Sequence, residues 1–397
     1  MPRYEPAGEH TAQEAGSQRS GLPNGGKHRG VRDRVTMACR RRIRISAFFN
    51  AGDRADSASH DSRFPKCAAD VRSDDEERIV RAVEVTRTDG PGAVEVREVS
   101  DPVRGDGEIL VEMRAAGVNF PDLLLTKDMY QYKPELPFVL GGEFTGVVRE
   151  APAGSEFSPG DRVAGSATVG AFAELVSLPA RNVYPLPGKV DFVAGACLPM
   201  NYLTMTFALL TRGALQAGET VLVHGAGGGL GSACVQVAHA VGARVIAVAG
   251  SADRRELARS AGADEVHGAD DWFNAVRAQG GADVIVDPVG GDVFDQSVRC
   301  IAPEGRLLTM GYASGRIPTA PANRLLLRNA GVLGVNWLAL LESDHGLFRR
   351  TAQQLAELIG AGMRPIPPVR YQLADAAAAF RDLEERRIAG KAVVLVR

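Results

Sequence analysis

The segment that decides the fold is ETVLVHGAGGGLGSACVQVAHAVGARVIAVAG, which runs from Glu219 to Gly250. It begins as a short apolar run, passes through a cluster of glycines and ends in a second apolar run. Short apolar runs bounded by glycine are typical of buried strands, and the stretch between them has the length of a helix. The segment therefore predicts a strand, a tight turn, a helix and a second, parallel strand.

The glycine turn predicts a binding site for a dinucleotide. Ala226, Gly228 and Gly231 have the spacing A-x-G-x-x-G, a variant of the dinucleotide fingerprint. Glycine lets the backbone approach a pyrophosphate, and the helix that follows offers unpaired N–H groups at its start, at Gly229 and Leu230. A turn that merely packs helix on strand is the alternative, and the strand–helix context argues against it.

The end of the second strand predicts which dinucleotide binds. NAD sites usually have an acidic residue there, which binds the ribose 2′-hydroxyl. In this chain Gly250 and Ser251 occupy that place, and Arg254 and Arg255 follow. Because a guanidinium suits a 2′-phosphate, we predict NADPH, with Ser251 and both arginines as contacts. Two alternatives stay open: one arginine belongs to the solvated face of the next helix, or Asp253 approaches the ribose.

Composition excludes several classes of protein. A chain of 397 residues favours two domains, and a net charge of −2 provides no field that would attract nucleic acid. The 5 cysteines lie far apart, without a CxxC or a Cys-His cluster, so neither disulfides nor zinc is predicted. This usage fits a reducing cytoplasm. We expect no apolar run of the ~18 residues that a membrane span needs, and hence no membrane partner.

Residues 1–79 differ from the rest of the chain. They are rich in Arg, Gly, Ser and Asp and lack a periodic apolar pattern, so we interpret them as a disordered extension. The basic run at residues 27–44 has two interpretations, a nucleic-acid or targeting arm and a solvated charge run, and we favour the second. The folded pattern begins at Val80. A further hypothesis is that the predicted gene starts too far upstream and that the natural protein begins at Val80. Peptides from the extension in the native protein would contradict that hypothesis.

The remainder divides into three parts and predicts an α/β fold. Residues 80–200 contain short runs that alternate apolar and polar, separated by turns, as in an antiparallel β-barrel. Residues 201–338 alternate strand and helix patterns, as in a doubly wound parallel sheet. Residues 339–397 contain helical patterns and a closing strand, and we expect this segment to return to the barrel domain.

Several segments resemble one known family. They read AAGVNFPDLLL, LPFVLGGEFTGVV, VLVHGAGGGLGSACVQVA, GRLLTMGYASG and GKAVVLVR. From Arg81 to Arg397 the chain resembles the zinc-free branch of the medium-chain dehydrogenase/reductases, in particular NADPH:quinone oxidoreductases of the zeta-crystallin type. The resemblance implies a GroES-like β-barrel catalytic domain and a Rossmann NADPH-binding domain. It also implies a homodimer joined along the Rossmann sheets, with residues 324–338 at the interface.

Two substitutions argue against zinc. Relatives that hold catalytic zinc place a Cys where this chain reads AAGVNF, and a His in a G-H-E pattern. Here Gly142 stands in the place of the His, whereas Glu143 is retained. Because catalytic zinc needs thiolate or imidazole ligands, we predict that no metal is bound.

The resemblance implies a substrate slot at Asn119 and Tyr130. An amide and a phenol are suitable hydrogen-bond donors to the oxyanion that develops on a reduced carbonyl. The alternatives are a turn residue before a helix for Asn119 and a surface aromatic for Tyr130. Leu124 departs from the family, because some quinone reductases have another Tyr there. We interpret Asp122 as structural, since a carboxylate suits the first turn of a helix.

The resemblance also implies the remaining cofactor contacts. Thr204, Gly311 and Asn336 would surround the nicotinamide. Lys391 would reach the cofactor phosphates, or it is an ordinary lysine at a strand edge.

These observations predict an NADPH-dependent reductase that transfers hydride to a quinone or a similar conjugated carbonyl without zinc. One alternative is an enoyl-CoA or other enoyl-thioester reductase, which would need basic residues at the mouth of the slot. Lys127, Lys133 and Arg324 are candidates for that role. Another alternative is a non-catalytic NADPH- or RNA-binding relative. The near-neutral charge argues against a nucleic-acid partner, and a small-molecule substrate is the expected one.

Overall fold

The structure is a computed structural model that describes residues 79–337, 344 and 346–397. The predicted disordered extension, except for its last residue Ile79, lies outside the described residues, as does the basic run at 27–44.

The strands are numbered in chain order. They are β1 (Ile79–Val85), β2 (Val94–Ser100), β3 (Glu108–Val118), β4 (Phe138–Val139), β5 (Glu143–Glu150), β6 (Arg162–Ser166), β7 (Leu175–Pro179), β8 (Val183–Pro185), β9 (Thr220–His224), β10 (Arg244–Val248), β11 (Glu265–His267), β12 (Ala282–Asp287), β13 (Ile301–Thr309), β14 (Gly331–Gly334), β15 (Val369–Gln372) and β16 (Ala392–Leu395).

The α-helices span Phe120–Leu125, Phe192–Gly195, Leu203–Thr206, Gly229–Val241, Ala252–Ser260, Trp272–Ala278, Gly291–Ser297, Ala322–Arg328, Leu347–Gly360 and Ala376–Glu384. Shorter 3-10 turns span Pro91–Ala93, Ala180–Asn182 and Leu373–Asp375, and wider π-helical turns span Leu198–Tyr202 and Phe207–Arg212.

The first eight strands and the last two strands form a β-barrel built from two sheets. One sheet has the order β2-β1-β4, and the other has the order β15-β16-β3-β5-β6-β8, with β7 also paired to β3. A bridge between Ala82 and Ala173 joins the two sheets. Alternate residues of the strands point inward, and large side chains such as Phe144, Phe172 and Met113 fill the interior without exposure. The predicted antiparallel barrel is confirmed.

The second half contains a parallel sheet in the order β11-β10-β9-β12-β13-β14. Helices cover both of its faces, which explains why β9 is apolar on successive residues, Val221, Leu222 and Val223. The strand order reverses between β9 and β12, and a crevice forms there at the carboxyl ends of the strands. The predicted doubly wound Rossmann arrangement is confirmed, and the glycine turn lies at this crevice.

The end of the chain connects the two halves. β16 pairs antiparallel with β3, with Ala392 opposite Val118, so the last strand belongs to the barrel sheet. Just before it, the Gly390 N–H donates to the carbonyl of Gly227 at 2.9 Å. One short segment therefore contacts the glycine turn and then enters the barrel.

One helical stretch, Phe192–Arg212, corrects an expectation from the sequence. Its 21 residues are long and apolar enough to cross a membrane, with a mean hydropathy of 1.4, although no such run was expected. In the structure 72% of this window is buried inside the protein, and Leu198, Leu203 and Met205 are among the side chains without exposure. A helix that is apolar all round is explained by core packing on all its sides.

Candidate active site

The glycine turn forms a cradle that larger residues would fill. β9 ends at His224, Gly225 turns the chain with φ 65°, and the helix begins at Gly229. A Cβ at Gly231 would lie 2.2 Å from the carbonyl oxygen of Gly225, and a Cβ at Gly229 would lie 2.5 Å from Nδ2 of Asn201. The first N–H groups of a helix have no acceptor within it. The turn therefore fits a pyrophosphate, as its spacing predicts.

The predicted contacts on the turn lie together. Ala226 is buried beneath it, and Gly228 caps the helix that Gly229, Leu230 and Gly231 begin. Which of them contacts the cofactor stays a prediction.

Arg255 lies at the expected adenosine end of the crevice. Its Nη1 donates to the carbonyl of Gly250 at 2.7 Å, and it reaches toward Gly268, which follows β11. Ser251 caps the helix Ala252–Ser260 at the same strand end. The places that an NAD-binding acid would occupy are thus held by Gly250 and Ser251, with a guanidinium beside them.

Arg254 has a different position from Arg255, and its contact with the phosphate stays a prediction. Its Nη2 donates to the carbonyl oxygens of Arg386 and Ile388, at 2.8 and 2.9 Å. The side chain also packs over Gly227, where a Cβ would lie 2.3 Å from its own Cβ. Arg254 therefore holds the C-terminal segment on the glycine turn. Of the two arginines, the structure favours Arg255 as the one that contacts the 2′-phosphate.

A cavity of about 800 Å³ lies beside this crevice. Its lining comes from the barrel loops, from the helical stretch after β8, and from residues that follow the Rossmann sheet. The lining residues are Asn119, Pro121, Asp122, Leu125, Tyr130, Gln131, Tyr132, Gly142, Ser166, Ala167, Thr168, Arg181, Asn182, Met200, Asn336 and Phe348. Both predicted slot residues, Asn119 and Tyr130, are among them. Leu124, the departure from the family, is not, and Leu125 lines the cavity instead.

Asn119, Glu143 and Lys391 form a buried polar network at the wall of this cavity. The side-chain exposure of Lys391 is 8% and that of Glu143 is 0%, and the two form an ion pair. The Lys391 ammonium also donates to Oδ1 of Asn119. Nδ2 of Asn119 donates to Oε1 of Glu143 at 3.0 Å and to the carbonyl of Gly117 at 3.2 Å.

This network engages the side chain of Asn119 within the protein, and its predicted contact with the substrate stays a prediction. An ammonium only donates and an ionised carboxylate only accepts, so Lys391 and Glu143 together fix which way the amide points. Both N–H groups of the amide are then used inside the protein. In this structure Asn119 therefore positions the charged pair, with both of its N–H groups bonded within the protein.

The network bears on both interpretations of Lys391. Its ammonium is buried and paired rather than at an exposed strand edge, because Lys391 directly precedes β16, which pairs with β3. Its contact with the cofactor phosphates stays a prediction, and the preceding Gly390 lies against the glycine turn. Glu143 was missed as a site residue, although its retention in GGEF was visible in the sequence. Its second oxygen accepts the Met200 N–H at 2.8 Å.

Asp122 adds a further buried carboxyl to the cavity. Its Oδ2 accepts the backbone N–H of Asn119 at 3.0 Å. Burial raises the pKa of Asp122 to about 7, with a smaller contribution from Glu143, while Lys391 and Asn119 oppose the rise. The Lys391 ammonium thus interacts with two carboxyls, but it forms its ion pair with Glu143. Asp122 is the carboxyl that holds a proton near neutral pH.

Tyr130 is half-buried with its phenol facing this group. Burial raises the pKa of Tyr130, and the Asp122 carboxylate adds to the rise. The phenol therefore keeps its proton at neutral pH and can donate a hydrogen bond within the cavity.

The predicted nicotinamide contacts differ in position. Asn336 follows β14 and lines the cavity. Gly311 follows β13 at the same edge of the sheet, where a Cβ would lie 3.1 Å from the carbonyl oxygen of Pro288. Thr204 is partly buried in the helix Leu203–Thr206 and does not line the cavity. Their roles stay predictions.

Within residues 79–337, 344 and 346–397, no group of three or more His, Cys, Asp or Glu is placed to hold a metal ion. At the position of the predicted missing His, a Cβ on Gly142 would face Oδ1 of Asp122 at 3.5 Å. The expectation that no metal binds stays a prediction.

Comparisons with known proteins agree with the two-part fold. The family model of the alcohol dehydrogenase GroES-like domain matches residues 105–188, and that of zinc-binding dehydrogenase matches residues 229–359. Quinone oxidoreductase-like protein 2 of Rattus norvegicus is 34% identical over 307 residues, which cover 75% of this chain and 88% of that protein.

Solved structures are similar over the same range. A probable oxidoreductase from Mycobacterium abscessus is 39% identical with a TM-score of 0.74, over 80% of this chain and 99% of that one. A mycobacterial protein complexed with NADPH is 33% identical with a TM-score of 0.72, over the same 80% and 99%. The chain therefore belongs to the medium-chain dehydrogenase/reductase superfamily, among its quinone oxidoreductase-like members.

Proposed function

We propose that this protein is an NADPH-dependent reductase that transfers hydride to a quinone or a similar conjugated carbonyl without zinc. The main support is the cavity, whose lining combines polar side chains with the aromatic rings of Tyr130, Tyr132 and Phe348. It meets the carboxyl ends of the Rossmann strands at Asn336. A flat, electron-poor ring suits such a wall. Similar proteins are named quinone oxidoreductases, and a similar structure is complexed with NADPH.

The residues of the crevice fit NADPH. The turn Gly228–Gly231 would hold the pyrophosphate, and Arg255 with Ser251 would hold the 2′-phosphate. Thr204, Gly311 and Asn336 would surround the nicotinamide. When bound there, the nicotinamide supplies a hydride to the substrate. Gly390 is hydrogen-bonded to the glycine turn, and the next residue, Lys391, is paired with Glu143 beside the cavity. This short segment would therefore fix the distance between the cofactor site and the substrate site.

Tyr130 is the donor that we propose for the substrate carbonyl. Negative charge develops on that oxygen during reduction, and a positioned phenol stabilises it. The raised pKa of Tyr130 keeps the proton available at neutral pH. The network of Asn119, Glu143 and Lys391 shapes the wall beside it, and water that enters the cavity supplies the final protons.

The enoyl-thioester alternative has less support from the basic residues first considered. Lys127 pairs with Glu384, and Lys133 pairs with Asp128 at 2.7 Å, so both charges are already balanced. Arg324 lies on the helix Ala322–Arg328 and does not line the cavity.

We further propose a homodimer and a cytoplasmic location. Leu326 and Leu327 are 78% and 81% exposed on the helix that precedes the edge strand β14, and apolar exposure of this kind marks an interface. A monomer by light scattering would contradict the dimer. Among the described cysteines, Cys197, Cys234 and Cys300 are free and buried, which suits a reducing compartment.

Loss of reduced-nicotinamide absorbance tests the main proposal. Purified protein is mixed with NADPH and a small quinone, and in parallel with a matched enoyl-CoA. We expect turnover of the quinone and a lower kcat for Tyr130→Phe, with Tyr132→Phe as the matched control. Turnover of the enoyl-CoA alone would move the function to thioester reduction. Binding of NADPH without either turnover would contradict the catalytic proposal.

A further inference from the structure

Among the described residues that line the cavity, Arg181 is the one cation. It lies in the turn Ala180–Asn182 between β7 and β8, and its neighbour Asn182 also contributes to the lining. Asp122 is the one acidic side chain among the described lining residues, and it is buried in the wall, whereas Arg181 is exposed at the surface. Arg181 thus places a positive charge at the solvent-exposed side of the cavity.

The Arg181 guanidinium has no hydrogen-bond or ion-pair partner in the part of the chain that the structure describes. Three other cations differ in this respect. Lys127 and Lys133 each pair with a carboxylate, and Arg349 pairs with Glu156. A guanidinium presents five N–H groups in a rigid fork, so Arg181 can bind a planar anion without first breaking a contact in the protein.

The loop that contributes Tyr130, Gln131 and Tyr132 to the cavity lining exposes apolar side chains. Tyr132 lines the cavity and is 47% exposed, and Met129 and Leu136 of the same loop are 68% and 46% exposed. A cavity lined by exposed Tyr132 and by one unpaired cation complements an amphiphilic molecule. Its ring or alkene would lie in the cavity, and an anionic group would stay at the mouth.

We propose that Arg181 is a specificity-determining residue that selects substrates bearing an anionic group, a carboxylate or a phosphate, remote from the reacting carbonyl. This inference rests on the proposed reductase function and narrows its substrate class. Because Arg181 contacts only the remote group, it contributes to KM rather than to kcat.

A matched pair of substrates tests the inference. One is a benzoquinone with a propanoate side chain, and the other is its methyl ester, which differs only in charge. We expect the wild-type kcat/KM for the acid to exceed that for the ester by about tenfold at low salt. The Arg181→Gln variant should lose this preference through KM and reduce the ester as the wild type does. Added salt should shrink the preference of the wild type.

The control is Arg370→Gln, an exposed arginine on β15 outside the cavity, which should keep the preference. A second arm compares an enoyl-CoA with the neutral N-acetylcysteamine thioester of the same acyl group. A preference for the CoA ester that depends on Arg181 would assign the anion to a phosphate, and a preference confined to the quinone acid would assign it to a carboxylate.

Equal kcat/KM for acid and ester in the wild type, together with no preference in the thioester arm, would overturn the inference and leave the reductase function intact. A preference that survives in Arg181→Gln would overturn it as well. Calorimetric binding of the acid covers the case in which neither quinone is reduced. There the reductase proposal fails, and equal affinity of wild type and Arg181→Gln would overturn the inference independently.

Discussion

The glycine turn and the buried polar network border the same cleft, yet their residues come together in different ways. The turn is made from consecutive residues, Gly225 to Gly231. In the network, Lys391 and Asn119 are 272 positions apart, and Glu143 comes from a third segment. The turn is specified by local backbone sterics, whereas the network exists only after β16 has paired with β3. Because of this difference, the sequence reveals the turn but not the network. The two should also respond differently to mutation.

Of the changes considered, removal of the Lys391 ammonium should have the largest effect on stability. Lys391→Met leaves the Glu143 carboxylate buried and unpaired, which should lower the free energy of unfolding by about 3–5 kcal/mol. Denaturant unfolding monitored by fluorescence measures this loss.

Two variants sharpen that result. Lys391→Met combined with Glu143→Gln removes both charges and should recover part of the loss. Lys133→Met breaks an exposed pair and should cost less than about 1 kcal/mol. Equal losses for Lys391→Met and Lys133→Met would show that the buried pair contributes no more than a surface pair.

Asp122 should give the network a dependence on pH. Its pKa is about 7 in the folded state, above the ordinary value near 3.9 in the unfolded chain. The folded state therefore binds the extra proton between pH 4 and 7, and stability should fall as pH rises through this window, by at most about 1.4 kcal/mol per pH unit. Asp122→Asn cannot ionise and should show a flatter profile than the wild type in urea unfolding at a series of pH values. The exposed Asp253→Asn should keep the wild-type slope, and parallel profiles for Asp122→Asn and wild type would refute the assignment.

A methyl group at Gly231 should break the turn instead. The added Cβ of Gly231→Ala would lie 2.2 Å from the Gly225 carbonyl oxygen, so the backbone must shift, at about 1–3 kcal/mol. NADPH affinity should fall with it, as measured by nicotinamide fluorescence. Gly360→Ala is the matched control, since nothing lies within 4 Å of its Cβ position. Unchanged NADPH affinity in Gly231→Ala would place the pyrophosphate elsewhere.

These contrasts explain how far the sequence predicts the molecule. Alternation of apolar residues predicts the barrel, and repeated strand–helix units predict the parallel sheet, because both patterns follow from local periodicity. The spacing of Gly228 and Gly231 predicts the cradle for the same reason. The hydrogen bonds of Asn119 could not be predicted, because its partners Glu143 and Lys391 become neighbours only in the folded barrel.

Charged surface residues were the hardest to predict. Sequence position gives Arg254 and Arg255 the same expectation, yet a one-residue step on a helix turns a side chain by about 100°. Arg254 faces the C-terminal segment for that reason. Lys127 and Lys133 looked suitable for the cavity mouth, but each has a carboxylate neighbour. The sequence around Arg181 does not predict a binding role, because only the folded chain brings its turn to the cavity.

The smallest expected effect separates the two arginines beside the turn. Arg255→Gln removes the guanidinium next to Gly250 and Ser251 and should raise the Kd of NADPH by about tenfold, while that of NADH changes little. Arg254→Gln removes hydrogen bonds to Arg386 and Ile388 and should instead lower the melting temperature with little change in the NADPH to NADH ratio. Titration of both cofactors against both variants measures the ratio. The opposite pattern, with selectivity lost in Arg254→Gln, would mean that the C-terminal segment releases Arg254 when the cofactor binds, and the turn would then depend on distant contacts as the network does.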